Sequence, residues 1–243
     1  MLKKTRTVFE AKSEISGRIR VLEDQRERRL VVAGDILSVY PIDGDWSRVE
    51  REYWWKALEK VRVPPRPSVL MVGLGGGTQV HLIRRIAKPR RITVIERDPV
   101  IVDLAREWFA LDTVPNLEIC CGEAAEILPG LARLERQFDF IMEDAAYGLE
   151  VGGAIDLARA LAALVTPRGT LVLNRHWRHD AKSVRDTLTS FFRDMSMRRV
   201  KREGENVLIF CERPVGDIRG VPRLRRGAPS VGRRGGPFRG PPR

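Results

Sequence analysis

A chain of 243 residues with 43% hydrophobic and 31% charged side chains carries enough apolar material for one sizeable core and a small appendage. It has no run of eighteen or more apolar residues, and its opening Met-Leu-Lys-Lys-Thr-Arg-Thr lacks the apolar segment of a signal peptide, so a helical membrane protein is excluded and a soluble, cytoplasmic protein is expected. The formal net charge of +12 suggests nucleic acid until it is located: residues 217–243 hold eight arginines and one aspartate, a net of +7, and the remainder of the chain carries +5.

In chain order, Ser13 to Tyr40 alternates apolar residues between turn signals, which predicts a small meander of strands. Asp45 to Arg62 places Trp46, Val49, Tyr53, Trp54, Ala57, Leu58 and Val61 at three-to-four spacing and predicts one amphipathic helix, stopped by Pro64, Pro65 and Pro67. From Ser68 the pattern alternates regularly. Strands are predicted at 69–73, 92–96, 117–121, 138–143 and 170–174, with helices at 78–87, 99–110, 123–134 and 154–165. Strands separated by helices of this length make a parallel, doubly wound sheet. A helix over 181–195 and two strands, 198–201 and 206–211, joined by the turn Arg202-Glu-Gly-Glu, add an antiparallel pair at one edge. The expected fold class is thus α/β and Rossmann-like, with an N-terminal β region and connecting helix over 1–62, a main domain over 63–213 and a disordered tail over 214–243. The tail, rich in Arg, Gly and Pro, cannot bury enough apolar surface to offset its ordering entropy. It is expected either to attract RNA, DNA or acidic surfaces weakly and salt-sensitively or to serve as a solubilising extension with no specific partner.

The chemistry concentrates around one stretch. Val69-Leu-Met-Val-Gly73-Leu-Gly75-Gly76-Gly77-Thr78 is an apolar strand that ends in four glycines and leads into a helix. Such a turn lets a ligand approach bare backbone beside the N–H groups of a helix N-terminus. The next strand, Arg91-Ile-Thr-Val-Ile95, ends in Glu96, a carboxylate placed to accept both hydroxyls of a ribose. Thr78 stands where the dinucleotide fingerprint wants its third Gly, and no phosphate-loop lysine follows, so NAD and ATP are disfavoured. Two further strand ends carry polar groups: the Gly122-Glu123-Ala124 turn and Asp144. Glu123 would reach an adenine amino group, or it sits in a helix first turn for the dipole. Asp144 would act as general base or hold a cationic amine, or it is a loop cap. Its neighbour Glu143 should point the opposite way. Trp54 and Trp55 are either core or a wall of the substrate pocket. His81, His176 and His179 have no metal-ligand spacing, no serine or cysteine has a nucleophile-elbow context, and Cys120, Cys121 and Cys211 read as buried thiols without a zinc site or disulfide framework.

The order of these pieces, from Arg28-Arg-Leu-Val-Val-Ala-Gly34 through Val-Leu-Met-Val-Gly-Leu-Gly-Gly-Gly, Val-Ile-Glu96-Arg-Asp98-Pro, Gly122-Glu-Ala and Phe-Asp-Phe-Ile-Met-Glu-Asp144 to Pro-Arg-Gly-Thr-Leu-Val-Leu-Asn174, resembles the spermidine synthase-like branch of class I S-adenosylmethionine-fold transferases over roughly 13–213. The resemblance implies an N-terminal hairpin region leaning over a seven-stranded sheet, homo-oligomers formed through that region, and transfer of an aminopropyl group from decarboxylated S-adenosylmethionine to a small-molecule amine. On that model Glu96 holds the ribose, Glu123 lies near adenine, and Asp144 takes a proton from the attacking amine. The departures are Thr78, in a loop that continues with aspartate in the family, Tyr147 in place of the second acid of D-x-x-D, Tyr53-Trp54-Trp55 in place of Tyr-His-Glu, and a residue near Ser38 in place of a hairpin glutamine. Tyr53, Trp54 and Tyr147 are the candidate acceptor-pocket residues. Methyl transfer from S-adenosylmethionine on the same fold remains the alternative, and a non-catalytic nucleoside-binding module docking on RNA through the tail is a third reading.

Overall fold

The computed structural model describes residues 5–145, 150–176, 180–200 and 206–216. The expectations for Tyr147, His179, the turn at 202–205 and the tail from Asp217 onward fall outside them.

Two sheets build the chain. The first is a four-stranded antiparallel meander of β1 (Arg6–Ser13), β2 (Gly17–Glu23), β3 (Glu27–Val32) and β4 (Asp35–Pro41). The second begins at β5 (Ser68–Val72), which leads through α2 (Thr78–Ile86) to β6 (Arg91–Glu96) and through α3 (Pro99–Trp108) to β7 (Leu117–Cys121). It continues with α4 (Ala124–Arg133), β8 (Phe138–Glu143), α5 (Val151–Ala162), β9 (Val165–His176), α6 (Ala181–Leu188), β10 (Phe192–Arg199) and β11 (Asn206–Pro214). The strand order is β10-β11-β9-β8-β5-β6-β7. The β5, β6, β7, β8 and β9 neighbours pair in parallel, and β11 runs antiparallel to both β9 and β10. This is the doubly wound, mostly parallel sheet expected from the alternation of strands and helices. Among the described residues no helix is long and apolar enough to cross a membrane.

Side chains alternate across the second sheet, as a two-residue period requires. Val69, Met71, Ile92, Val94, Phe140, Met142, Val172 and Leu208 join the core shared with the meander, α2 and α3. Leu70, Val72, Ile95, Ile141, Leu171, Leu173, Val207 and Ile209 join the core under α4, α5 and α6. The phase decides which strand-end residue faces which layer.

Three segments depart from the sequence-based expectation. The single helix over 45–62 is a 3-10 helix, Trp46–Arg51, followed by a one-turn α1, Tyr53–Lys56. The break is Glu52, whose extended backbone (φ −84, ψ 160) caps both pieces, while Val49, Trp54, Ala57 and Leu58 are still buried at their helical spacing. The helix at 181–195 ends at Leu188, because Phe192 to Arg199 pairs with β11, with Met195 opposite Cys211. The strand β1 precedes the predicted meander and pairs along its length with β2.

Candidate active site at the switch point

Strand β5 has β6 on one side and β8 on the other, so the crossovers diverge at its carboxyl end and leave a crevice there. Gly73 begins the turn with φ +93, a region that side chains rarely adopt, and a Cβ on it would lie 2.9 Å from the Asp144 carbonyl oxygen. Gly75, Gly76 and Gly77 are wedged against Ser38, Phe109 and Leu111 respectively, each closer than a Cβ would tolerate. The loop is therefore thin partly because protein presses on it.

Its N–H groups are organised by side chains from distant strands. Leu74 donates to Glu96 Oε2 at 2.9 Å and Gly76 donates to Ser38 Oγ at 2.7 Å. Glu96 is 7% exposed, and its other oxygen accepts from the Asp98 backbone at 2.9 Å. Two backbone bonds lock the carboxylate in place, and each oxygen keeps a second acceptor position. Thr78 behaves differently from a ligand-facing residue. Its hydroxyl donates to the Val39 carbonyl at 2.9 Å and accepts from the Val39 N–H at 3.0 Å, so the side chain extends the β4 ladder and leaves only its backbone for a ligand. Ser13 closes the other end of the meander onto the site by donating to buried Asp98 Oδ2 at 2.5 Å.

On the neighbouring strand end, Glu123 caps α4 without a side-chain capping bond. It is exposed, 3.8 Å from Arg97, and followed by half-buried Ala124. The Gly122 N–H donates to the Glu96 carbonyl at 2.8 Å, which keeps the Glu96 and Glu123 strand ends side by side.

Asp144 follows β8 in phase with Phe140 and Met142 and so faces the meander layer. Its backbone donates to the Val72 carbonyl at 2.8 Å, fixing it beside Gly73. The Tyr53 hydroxyl donates to Oδ2 at 2.7 Å and the Asn174 amide donates to Oδ1 at 2.8 Å. Burial pushes this carboxyl up to about 7, against the Tyr53 and Asn174 hydrogen bonds, which favour the ionised form. A carboxylate that titrates near neutrality can both accept and release a proton at working pH.

Of the candidate acceptor-pocket residues, half-buried Tyr53 reaches Asp144. Trp54 is 4% exposed and packed into the core, with its carbonyl accepting from Gln79 Nε2 at 3.1 Å, so the core reading applies to it. His81 is likewise structural: its ring packs on Tyr40 and Trp46 and bonds the Phe109 carbonyl at 2.7 Å, and burial lowers its pKa. Among the described residues no three His, Cys, Asp or Glu side chains converge as a metal site; of the thiols expected to be buried only Cys211 is, while Cys120 is half-buried and Cys121 exposed at the end of β7, the edge strand of the sheet. The structure gives Asn174, the polar end of an apolar strand, and Ser38, in the hairpin near the resembled family's glutamine position, contacts to Asp144 and Gly76 that make them positioning groups.

No family model matches the chain. Over 156 residues, 59% of the chain, it is 33% identical to an eEF1A lysine and N-terminal methyltransferase of Danio rerio, covering 23% of that protein. Over 155 residues, 60% of the chain, it is 23% identical to a polyamine aminopropyltransferase of Vibrio vulnificus (strain CMCP6), covering 52% of it. The chain thus spans about half or less of the length of these curated relatives. Among solved structures, a probable spermidine synthase from Corynebacterium glutamicum superposes with a TM-score of 0.67 at 16% identity, over 85% of this chain and 80% of that one. Human methyltransferase-like protein 13 in complex with SAH superposes with a TM-score of 0.54 at 21% identity, over 67% of this chain and 81% of that one. The strand order and layering are therefore those of the class I S-adenosylmethionine-dependent fold that spermidine synthases and methyltransferases share.

Proposed function

We propose that the chain moves a carbon group from an S-adenosyl sulfonium donor to the nitrogen of an amine, with Asp144 taking the amine's proton. The observation that carries this is the Asp144 carboxyl itself, held by Tyr53 and Asn174 beside the glycine turn and titrating at about 7. Glu96 would accept the ribose hydroxyls, Glu123 and Ala124 would flank the adenine, and the backbone of 73–78 would lie along the rest of the donor. The donor carbon is already activated by its positive sulfur. Nitrogen attacks that carbon, the C–S bond breaks with its electron pair going to sulfur, and the proton released by nitrogen passes to Asp144. The protein supplies alignment and a neutral amine.

Methyl transfer from S-adenosylmethionine is the reading we favour. The loop 73–78 contains no carboxylate to hold the free amine end of a decarboxylated donor, and the 33% identical relative is named as a lysine and N-terminal methyltransferase. The acceptor would then be an amine on a polypeptide. Aminopropyl transfer from decarboxylated S-adenosylmethionine to a polyamine is the second reading, favoured by the match to a polyamine aminopropyltransferase and by the superposition on a spermidine synthase that includes most of this chain.

Calorimetric titration with both donors, followed by product analysis with lysine peptides and with putrescine, tests the proposal. S-adenosylhomocysteine as product supports the first reading and methylthioadenosine the second. Binding of neither donor refutes the donor assignment altogether.

A further inference from the structure

Behind Asp144, on the other face of the sheet, lies a buried ionic cluster that the transfer chemistry does not use. Glu143 and Arg175 are in phase with Ile141 and with Leu171 and Leu173, so they face the layer of α5 and α6. Glu143 is fully buried, Arg175 is 2% exposed and Asp180, which precedes α6, is 4% exposed. The Arg175 guanidinium pairs with Glu143 Oε2, and its Nε lies 3.9 Å from Asp180 Oδ2. The second Glu143 oxygen accepts the Ala145 N–H at 2.8 Å, so the same carboxylate turns the chain immediately after Asp144. Two members of this cluster are sequence neighbours of members of the site: Glu143 adjoins Asp144, and Arg175 adjoins Asn174, whose amide bonds Asp144 on the other face of the sheet.

We infer that Arg175 is a positioning residue for Asp144: through Glu143 it holds the turn at Ala145 and the end of β9, and its charge tunes the proton affinity of the base. This deepens the reading of Asp144 as proton acceptor and rests on it. An arginine this deep is costly to desolvate and is weak evidence for stability alone, since a well-packed apolar pair does as well. A role that needs its charge explains why both ions sit here. Among the described residues, the titratable and charged groups that act on Asp144 are Tyr53 from α1, Glu143 from β8 and Arg175 from β9. Glu143 raises its pKa, and Tyr53 and Arg175 lower it.

The test needs no acceptor. With aspartate labelled at its side-chain carbon, the Asp144 carboxyl resonance, assigned by its loss in Asp144→Asn, is titrated in three further variants of the full chain. Arg175→Gln removes the cation and leaves Glu143 uncompensated, so the midpoint should rise by about one pH unit. Glu143→Gln keeps an acceptor for Ala145 and removes the anion, so the midpoint should fall. Arg175→Lys should restore most of the parental value. If Arg175→Gln does not fold, Glu143→Gln decides alone. Midpoints unchanged in the variants that fold would overturn the inference, as would shifts of the same sign in both charge-removing variants. Because the midpoint is read without turnover, a failure of the transferase reading would leave the coupling intact and appear only in the product assay.

Discussion

Asp144→Asn gives the most informative perturbation, because it should lower activity and raise stability together. The Asp144 carboxyl moves from an ordinary 3.8 to about 7 in the folded chain. At about 1.4 kcal/mol per pH unit, that displacement makes the ionised side chain cost the native state about 4 kcal/mol. The sign follows from proton counting. Between 3.8 and about 7 the folded chain keeps a proton that the unfolded chain has released, so stability falls as pH rises through this window and the loss is complete above it. Asparagine carries no charge, and it can accept from Asn174 while its amide donates to the Tyr53 oxygen, so the variant escapes the loss. Urea unfolding of parent and variant at pH 4, 6 and 8.5 should show a stability difference that is near zero at the lowest pH and approaches 4 kcal/mol in favour of the variant at the highest. Taking the difference cancels the surface carboxylates that titrate alike in both chains, such as Glu59 and Glu118, which their cationic neighbours hold low. Turnover should fall by roughly a hundredfold or more with donor affinity kept. A stability difference that is absent, or that does not grow with pH, would refute the account of Asp144 as a carboxylate strained by burial.

Other substitutions separate the roles of the surrounding groups. Tyr53→Phe removes the hydrogen bond that most favours the ionised form of Asp144, so the acid limb of the pH–rate profile should move to higher pH; a move to lower pH would contradict the assignment. Glu96→Gln keeps the shape but deprives either Leu74 or Asp98 of its acceptor and weakens the ribose contact. Donor affinity measured by calorimetry should drop tenfold or more, which corresponds to about 1.4 kcal/mol, and unchanged affinity would count against the ribose role. Thr78→Val breaks both bonds to Val39 and should cost about 1–3 kcal/mol in urea unfolding, with donor affinity changed far less than in Glu96→Gln.

Much of this fold was readable because parallel strands buried on both faces leave long apolar runs with turn signals between them. The errors occur where helical spacing and tertiary packing diverge. Val49, Trp54, Ala57 and Leu58 bury as a helix face would bury them, yet Glu52 adopts extended backbone and splits the segment. The pattern over Ala181 to Met195 reads as one helix, but from Phe192 the chain pairs with β11, a strand some fifteen residues further on. Local pattern carries no information about that partner.

The site divides along the same line. Strand-end reasoning finds Glu96, Glu123 and Asp144 because a parallel sheet collects the residues after each strand at one edge. It does not reveal who holds them. Tyr53 and Asp144 are 91 positions apart, and Ser38 and Gly76 are 38 apart. Thr78 shows the consequence for function. Read alone, a threonine following the glycines looks like the lost discriminator between donors, since an acid there would repel the carboxylate of S-adenosylmethionine. Its hydroxyl is instead spent on both polar groups of Val39. On the proposed reading the hydroxyl itself selects no donor, and an acid substituted at Thr78 would first have to break both bonds to Val39. What supports the proposed donor that keeps its carboxylate is the absence of any acid in 73–78.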